Sequence, residues 1–296
     1  MPELPEVEAL RRSLVPHITG RTVVRATLHR RDIAVMPGDP EGGFSRQRSP
    51  KPRPKRMRAA DLLAEQAFVE PVRRGKQIAL VTKAGQAIVV HLGMTGQLRW
   101  AAPGGRVTPG DHVHATWRLD DGSRLVFRDP RRFGGLWLLP DRSALDARWA
   151  ELGPDALTAN AGQIAAALCA WSGSRRAIKA ALLDQGVVAG VGNIYADEAL
   201  FRAGVHPETP LSGLGGRRAR RIAQTVRDVI TAAVAAGGST LRDYADGDGN
   251  PGSAQRSHKV YGRAGEPCTA CGATLESGQV AQRTTVWCPG CQPEPI

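Results

Sequence analysis

DQGVVAGVGNIYADEALFRAGVHP, residues 184–207, is a glycine-rich turn running into a helix, and it makes the second half of the chain helical. Gly190 and Gly192 let the backbone come close to another group. The helix that follows, opening near Asn193, presents N–H groups that no intrahelical carbonyl accepts, an arrangement suited to a phosphate. Downstream, Arg217–Ala236 sets Ile222, Val226, Val229, Ile230, Ala233 and Val234 in one apolar stripe. Its basic start, RRARR, reads as a solvated face. Helical periodicity begins near residue 163. Before it, residues 141–162, including LGPDALTANAG, carry turn and cap signals and read as an exposed connection between domains. Residues 237–257 are rich in Gly, Ser and Asp and read as a long loop.

The first half has a different period. VVRATLH (23–29), KQIALVT (76–82), AIVVHL (87–92), HVHATWRL (112–119) and RLVFRD (124–129) are short β-branched runs between Gly, Asp and Pro turns. They predict an antiparallel sandwich or barrel. Residues 3–14 predict a flanking amphipathic helix. Pro5 suits its first turn, Glu6 and Glu8 its positive end, and Val7, Leu10 and Leu14 share a face. The fold class is therefore α+β and multidomain. RQRSPKPRPKRMR, residues 46–58, interrupts the pattern with seven basic residues, three prolines and no acid. It excludes a central strand, and reads as a disordered insertion, compatible with a DNA-tethering arm.

A length of 296 residues suits about two domains. Lys and Arg number 40 against 28 Asp and Glu, a net charge of +12, which fits a polyanionic partner, nucleic acid or an acidic membrane surface. No apolar run is long enough to span a bilayer. MPELPEVE has no hydrophobic stretch and is not a secretory signal, so a cytoplasmic location is expected. In that setting five cysteines argue for metal before disulfides. Cys268-x2-Cys271 and Cys288-x2-Cys291, 16 residues apart, have the spacing of a four-thiolate zinc site. Four thiolates fill the coordination shell, so one structural Zn2+ is expected, with TTVW closing a β-hairpin around it. Cys169, within ALCAW, is expected to be a buried thiol.

Removal of the initiator Met exposes Pro2. Its secondary amine, with an α-amino pKa of about 8, is partly neutral and nucleophilic at physiological pH, whereas a lysine at about 10.4 would need much more perturbation. Attack on a deoxyribose C1′ would give an iminium. Glu3 is placed to shuttle protons, and Glu6, about one turn on, to assist. Alone, Met-Pro-Glu reads as an ordinary chain start.

Seven motifs set that tripeptide in context: MPELPEVE at the start, RRGK (73–76), HLGMTG (91–96), DPRRFGG (129–135), the 184–207 stretch, GGSTLRDY (237–244) and VYGRAGEPC…CPGCQ (260–292). In this order, over nearly the whole chain, they resemble the bacterial formamidopyrimidine-DNA glycosylase family. Leu4 and the Arg132–Phe133 pair favour that branch over the related endonuclease VIII branch, which begins PEGPE. The resemblance implies an N-terminal catalytic β-sandwich domain over 1–140 and a connection over 141–162. It implies a helix–two-turn–helix domain with a lesion-capping loop over 163–257, and a zinc hairpin over 258–292. It also implies a monomer acting on damaged double-stranded DNA.

The implied roles follow residue by residue. Pro2 is the Schiff-base nucleophile and Glu3 the acid/base. Lys76 contacts the lesion-flanking phosphate and helps β-elimination, with Arg73 and Arg74 as a further phosphate patch. Met94, Arg131 and Phe133 fill the gap left by a flipped nucleotide, and Arg131 also reads the widowed cytosine. Lys179 and Asn193 contact phosphate or lesion, and Arg283 holds a phosphate and assists δ-elimination. The implied activity is excision of 8-oxoguanine and formamidopyrimidines with β,δ-lyase cleavage. An endonuclease VIII-like activity on oxidised pyrimidines and a non-catalytic damage-binding module remain the alternatives. Three departures stand out. Gly110 replaces a frequent His, leaving that DNA contact absent or supplied by His114. PGSAQ (251–255) lacks the aromatic found in the lesion loop of many members. The 46–58 segment is extra.

Overall fold

Val7, Leu10, Leu14 and Ile18 recur at three- and four-residue spacing, and all four are buried on one face of helix α1 (Leu4–Ile18). The helix outruns the expected residue 14 and passes through Pro16. Proline lacks a donor there, but the burial of Leu14 and Ile18 on either side outweighs that loss in the last turn. The computed structural model describes residues 1–35, 59–105 and 112–295. The basic segment 46–58 and Gly110 lie outside them.

Two compact units are formed. The first comprises Met1–Pro2, Glu6–Trp149 and Ser239–Gly252. Its strands are β1 (Val23–Leu28), β2 (Ala34–Val35), β3 (Val72–Arg74), β4 (Gln77–Val81), β5 (Ala87–His91), β6 (Gln97–Ala101), β7 (Val113–Leu119), β8 (Arg124–Arg128) and β9 (Gly135–Leu139). They make a four-stranded sheet, β1-β7-β8-β6, and a five-stranded sheet, β2-β9-β5-β4-β3. Pairing is antiparallel except between β2 and β9. Alternate residues of both sheets share one core: Trp117, Leu119, Leu125 and Phe127 from the first, Ile78, Leu80, Ile88 and Val90 from the second, closed by the apolar face of α1. This is the expected sandwich. Every residue of β5 is buried, which explains its unbroken apolar run. Within the stretch read as a connection lies a helix, α2 (Arg142–Ala150), because Leu145 and Trp149, four apart, give it an apolar stripe. The Trp149 indole donates to Gln77 at 3.0 Å.

The second unit comprises Glu3–Pro5, Ala150–Gly238 and Ser253–Ile296. It contains α3 (Ala161–Cys169), α4 (Ile178–Leu183), α5 (Asn193–Ala203), α6 (Gly216–Ala235) and the hairpin β10 (Glu276–Val280)–β11 (Arg283–Trp287). Asn160 and Gln163 form a capping box at the start of α3. The predicted stripe of α6 is buried at Ile222, Val226, Ile230, Ala233 and Val234, within a core that also holds Leu4. Cys169 packs on the edge of this core and is only half-buried.

Candidate active site

In the first unit Pro2 is buried and Met1 precedes it, exposed. The carboxylate of Glu6 accepts the Ser239 N–H at 2.6 Å, and the Glu6 carbonyl accepts the Tyr244 hydroxyl at 2.8 Å. Two bonds, each between a side chain and the backbone, thus hold the 239–252 loop to α1. Burial and the Glu6 charge push the Tyr244 phenol far above its usual range, so it remains a donor.

Arg73, expected in a phosphate patch, is used internally. Its guanidinium lies 3.1 Å from Glu8 and donates to the Gly75 carbonyl at 2.9 Å, with the side chain 3% exposed. Burial alone would raise the Glu8 pKa. Hydrogen bonds from Arg11 and Arg12 and the charges of Arg11 and Arg73 outweigh it and hold Glu8 at about 2. The ion pair fixes the turn that precedes Lys76, which is itself buried. His91, on the strand beside it, is pushed down to about 3 by burial and by the charges of Lys76 and Arg148, so it is neutral and its Nδ1 accepts the Gly93 N–H at 3.0 Å.

Asp129, fully buried, joins the two loops that carry the expected gap-filling residues. One oxygen accepts the Thr95 hydroxyl at 2.6 Å and the other the Gly134 N–H at 2.7 Å. The Arg131 N–H points to the same carboxylate at 3.3 Å and to Thr95 at 3.2 Å. Gly93 has φ +62°, and a Cβ there would overlap the Phe133 and Gly134 backbone, so only glycine permits the approach. Met94 is exposed on one loop, and on the other the Arg131 guanidinium lies 4.7 Å from the centre of the Phe133 ring. The structure therefore brings these loops together. His114 is no substitute DNA contact: it is buried and hydrogen-bonded to the Asp129 carbonyl at 2.8 Å.

In the second unit the glycine-rich turn has a tenant that the sequence reading did not foresee. Glu3, 2% exposed, accepts N–H groups from Gly192 at 2.8 Å and Ile194 at 2.9 Å, with Tyr195 N at 3.5 Å. Two of the open N–H groups of α5, those of Ile194 and Tyr195, point at this carboxylate, where a phosphate was expected. A Cβ at Gly192 would overlap the Glu3 carboxyl, and one at Gly190 (φ +103°) the Leu4 side chain. These glycines admit the chain's own N-terminal residues.

Lys179 is fully buried. Its ammonium forms an ion pair with Asp197 at 2.6 Å and donates to Thr285 Oγ1 at 2.7 Å and to the Thr284 carbonyl at 3.2 Å. Asp197 also accepts the Val286 N–H at 3.2 Å, and Asn193 donates to the Thr284 carbonyl at 2.9 Å. Both residues are fastened to β11. Burial pushes Asp197 up to about 7 against the pull of Lys179. Arg283 opens β11, exposed, directly after the turn residues Ala281 and Gln282, both at positive φ (51° and 59°). That is a type I′ hairpin turn built without glycine.

The four sulfurs of Cys268, Cys271, Cys288 and Cys291 lie within 4.8 Å of one another. Cys268 and Cys291 are 3.9 Å apart and Cys271 and Cys288 3.4 Å. A tetrahedral zinc with Zn–S bonds of about 2.3 Å requires sulfurs about 3.8 Å apart. N–H groups of Ala270 and Cys291 point at Cys268 and Cys288 sulfur, as suits thiolates. The residues fit one structural zinc ion with a closed shell. Among the described residues no helix is long and apolar enough to cross a membrane.

Three family models match in succession: the formamidopyrimidine-DNA glycosylase N-terminal domain over residues 1–136, its H2TH domain over 152–245, and a zinc finger found in FPG and IleRS over 265–293. The formamidopyrimidine-DNA glycosylase of Alkalilimnicola ehrlichii is 42% identical, covering 99% of this chain and 100% of that one, and that of Laribacter hongkongensis is 40% identical at the same coverage. The chain belongs to the formamidopyrimidine-DNA glycosylase family. Among solved structures of the family, the MutM (Fpg) protein of Thermus thermophilus superposes with a TM-score of 0.81 at 39% identity over the whole of both chains. Lactococcus lactis Fpg bound to abasic-site DNA gives 0.82 at 28%, and the same enzyme with an oxidised-pyrimidine DNA 0.82 at 27%, each covering 99% of this chain and 100% of that one. This family member is thus a DNA glycosylase carrying the family's zinc finger. Sequence reasoning named the motifs but missed Asp129 and Asp197, and read Glu8 only as an acid at the start of a helix. Asp129 alone had a local signal, an acid opening the DPRRFGG turn.

Proposed function

We propose that the chain is a bifunctional glycosylase and abasic-site lyase that removes 8-oxoguanine and formamidopyrimidines from duplex DNA, acting as a monomer in the bacterial cytoplasm at the nucleoid. The observation that carries this reading is the buried Glu3 carboxylate, held at the N-terminus of α5 by two short N–H bonds and bonded through the chain to Pro2. An acid/base group anchored one residue from a secondary amine is the requirement for N-terminal imine chemistry.

The Pro2 nitrogen attacks C1′ and loses its proton, the N-glycosidic bond breaks, and the base leaves with its electron pair and takes up a proton; the C1′–O4′ bond then opens, O4′ takes up a proton, and C1′ is left as the iminium. The iminium then loses a C2′ proton and expels the 3′ phosphate. A second elimination expels the 5′ phosphate. Glu3 handles the proton at base release, and Lys76 and Arg283 act on the flanking phosphates and the eliminations. Met94 and Phe133 wedge the gap left by the flipped nucleotide, and Arg131 reads the widowed cytosine. Lys179 and Asn193 serve as positioning residues for β11, which carries Arg283.

Borohydride trapping tests this. With 8-oxoguanine duplex, the protein starting at Pro2 forms a covalent adduct, and a form retaining Met1 forms none. Trapping at equal yield in the Met1 form refutes the nucleophile. Because one relative was crystallised on oxidised-pyrimidine DNA, a duplex carrying an oxidised pyrimidine belongs in the same assay. Faster turnover of that duplex would select the endonuclease VIII-like alternative.

A further inference from the structure

The four-stranded sheet of the first unit buries one face, and three arginines stand in a row on the other. Arg25 on β1 is the register partner of Arg118 on β7, and Arg118 that of Arg124 on β8. One step along, Thr27 faces Thr116. Neighbouring strands run about 4.8 Å apart, so the row spans roughly 10 Å. Like charges directly opposite across strands destabilise a sheet. Among the described residues no ion pair relieves these three. The acids of the adjoining turn, Asp120 and Asp121, lie 3.9 and 3.2 Å from Arg21. Arg124 gives one N–H to the Gly105 carbonyl at 2.6 Å, and the Thr116 hydroxyl shares a hydrogen bond with His29 at 3.1 Å; neither cancels a charge of the row. The core is filled by Trp117, Leu119 and Leu125 of the same strands, so the arginines have no share in it. With Gly104 and Gly122 these side chains line an open recess of about 360 Å³.

Planar guanidinium forks beside hydroxyls are donors for phosphate oxygens. Three cations in a line exceed what one small anion neutralises, and the chain as a whole carries +12. We propose that Arg25, Arg118 and Arg124, with Thr27 and Thr116, bind backbone phosphates of a second stretch of DNA, separate from the duplex being repaired. The proposal rests on the reading above only in that the protein binds DNA. Among the described residues no acid lines the recess, so the site holds DNA without reacting. A protein with two such holds passes directly from one duplex to another.

The test is stopped-flow dissociation of a labelled, lesion-free duplex as unlabelled duplex is raised, in about 50 mM salt, where phosphate contacts are strong. The wild-type off-rate rises with competitor, and that of the Arg25→Gln, Arg118→Gln, Arg124→Gln triple variant is flat. Single-turnover base release at saturating enzyme is unchanged in the variant, which separates this site from the chemistry. Without DNA, the variant unfolds at a higher temperature, since the repulsion is gone. A flat wild-type off-rate, a competitor-dependent variant, or a lower unfolding temperature would overturn the proposal. Equal acceleration by inorganic phosphate at matched ionic strength would assign the recess to a small anion and overturn the DNA assignment.

Discussion

Gly192→Ala isolates the anchoring of Glu3. The backbone there has φ −128°, which alanine adopts without strain, so the only new term is steric. The added Cβ would overlap the Glu3 carboxyl carbon and sit 2.6 and 2.7 Å from its two oxygens. The carboxylate must leave its bonds to Gly192 and Ile194, at 2.8 and 2.9 Å. Each charge-assisted bond is worth roughly 1.5–3 kcal/mol. At the lower end, since a displaced carboxylate regains water, the loss is about 3 kcal/mol, a fall of roughly 6–12 °C in unfolding temperature. Chemistry divides the same way. A general acid moved by an ångström slows base release by about 100-fold, while trapping on a preformed abasic site, which needs only the Pro2 amine, persists. Calorimetry and single-turnover excision measure the two effects. Gly213→Ala, where a Cβ meets nothing within 4 Å, is the control and changes neither. Unaltered unfolding and unaltered base release in Gly192→Ala would refute the anchoring argument.

Three further outcomes are expected. Elemental analysis finds one zinc per chain, and Cys268→Ser loses it together with the order of the hairpin and with DNA affinity, read by circular dichroism and filter binding. Lys179→Met leaves Asp197 buried without its partner and costs about 3–5 kcal/mol; because burial already raises Asp197 to about 7, the deficit in urea unfolding is larger at pH 8.5 than at pH 6, where the carboxyl takes up a proton. Glu8 is held at about 2 from an ordinary 4.5, so its contribution of about 3 kcal/mol is full above pH 4.5 and is lost as pH falls through 2. Glu8→Gln therefore flattens the acid limb of the stability curve.

Much of the fold is legible in the residues. The β-branched runs became β1, β4, β5, β7 and β8, and the apolar stripe of residues 217–236 became α6. The four cysteines converge as their spacing requires. Strand β9 escaped notice because GLWLL begins at the second glycine of a motif that reads as a turn. The partners of buried charges were hidden more deeply. Glu3 meets residues 192 and 194, and Lys179 meets Asp197 and residues 284 and 285. Such pairings depend on long-range topology, which local periodicity does not encode. The same gap explains why the glycines of the 184–207 turn read as a phosphate cradle: sequence shows the open N–H groups and not the acid that fills them.

Asp129 has a consequence for how such an enzyme diversifies. One inaccessible carboxylate terminates both loops, so Met94, Arg131 and Phe133 are presented by a shared scaffold. Mutation at the tips therefore changes only what each loop presents, and descendants can explore it one side chain at a time without re-solving the backbone. Mutation at Asp129 shifts all three tips together, a step that gradual selection has little means of taking. Freedom at the tips and constraint beneath them both follow from a single hydrogen-bonded joint.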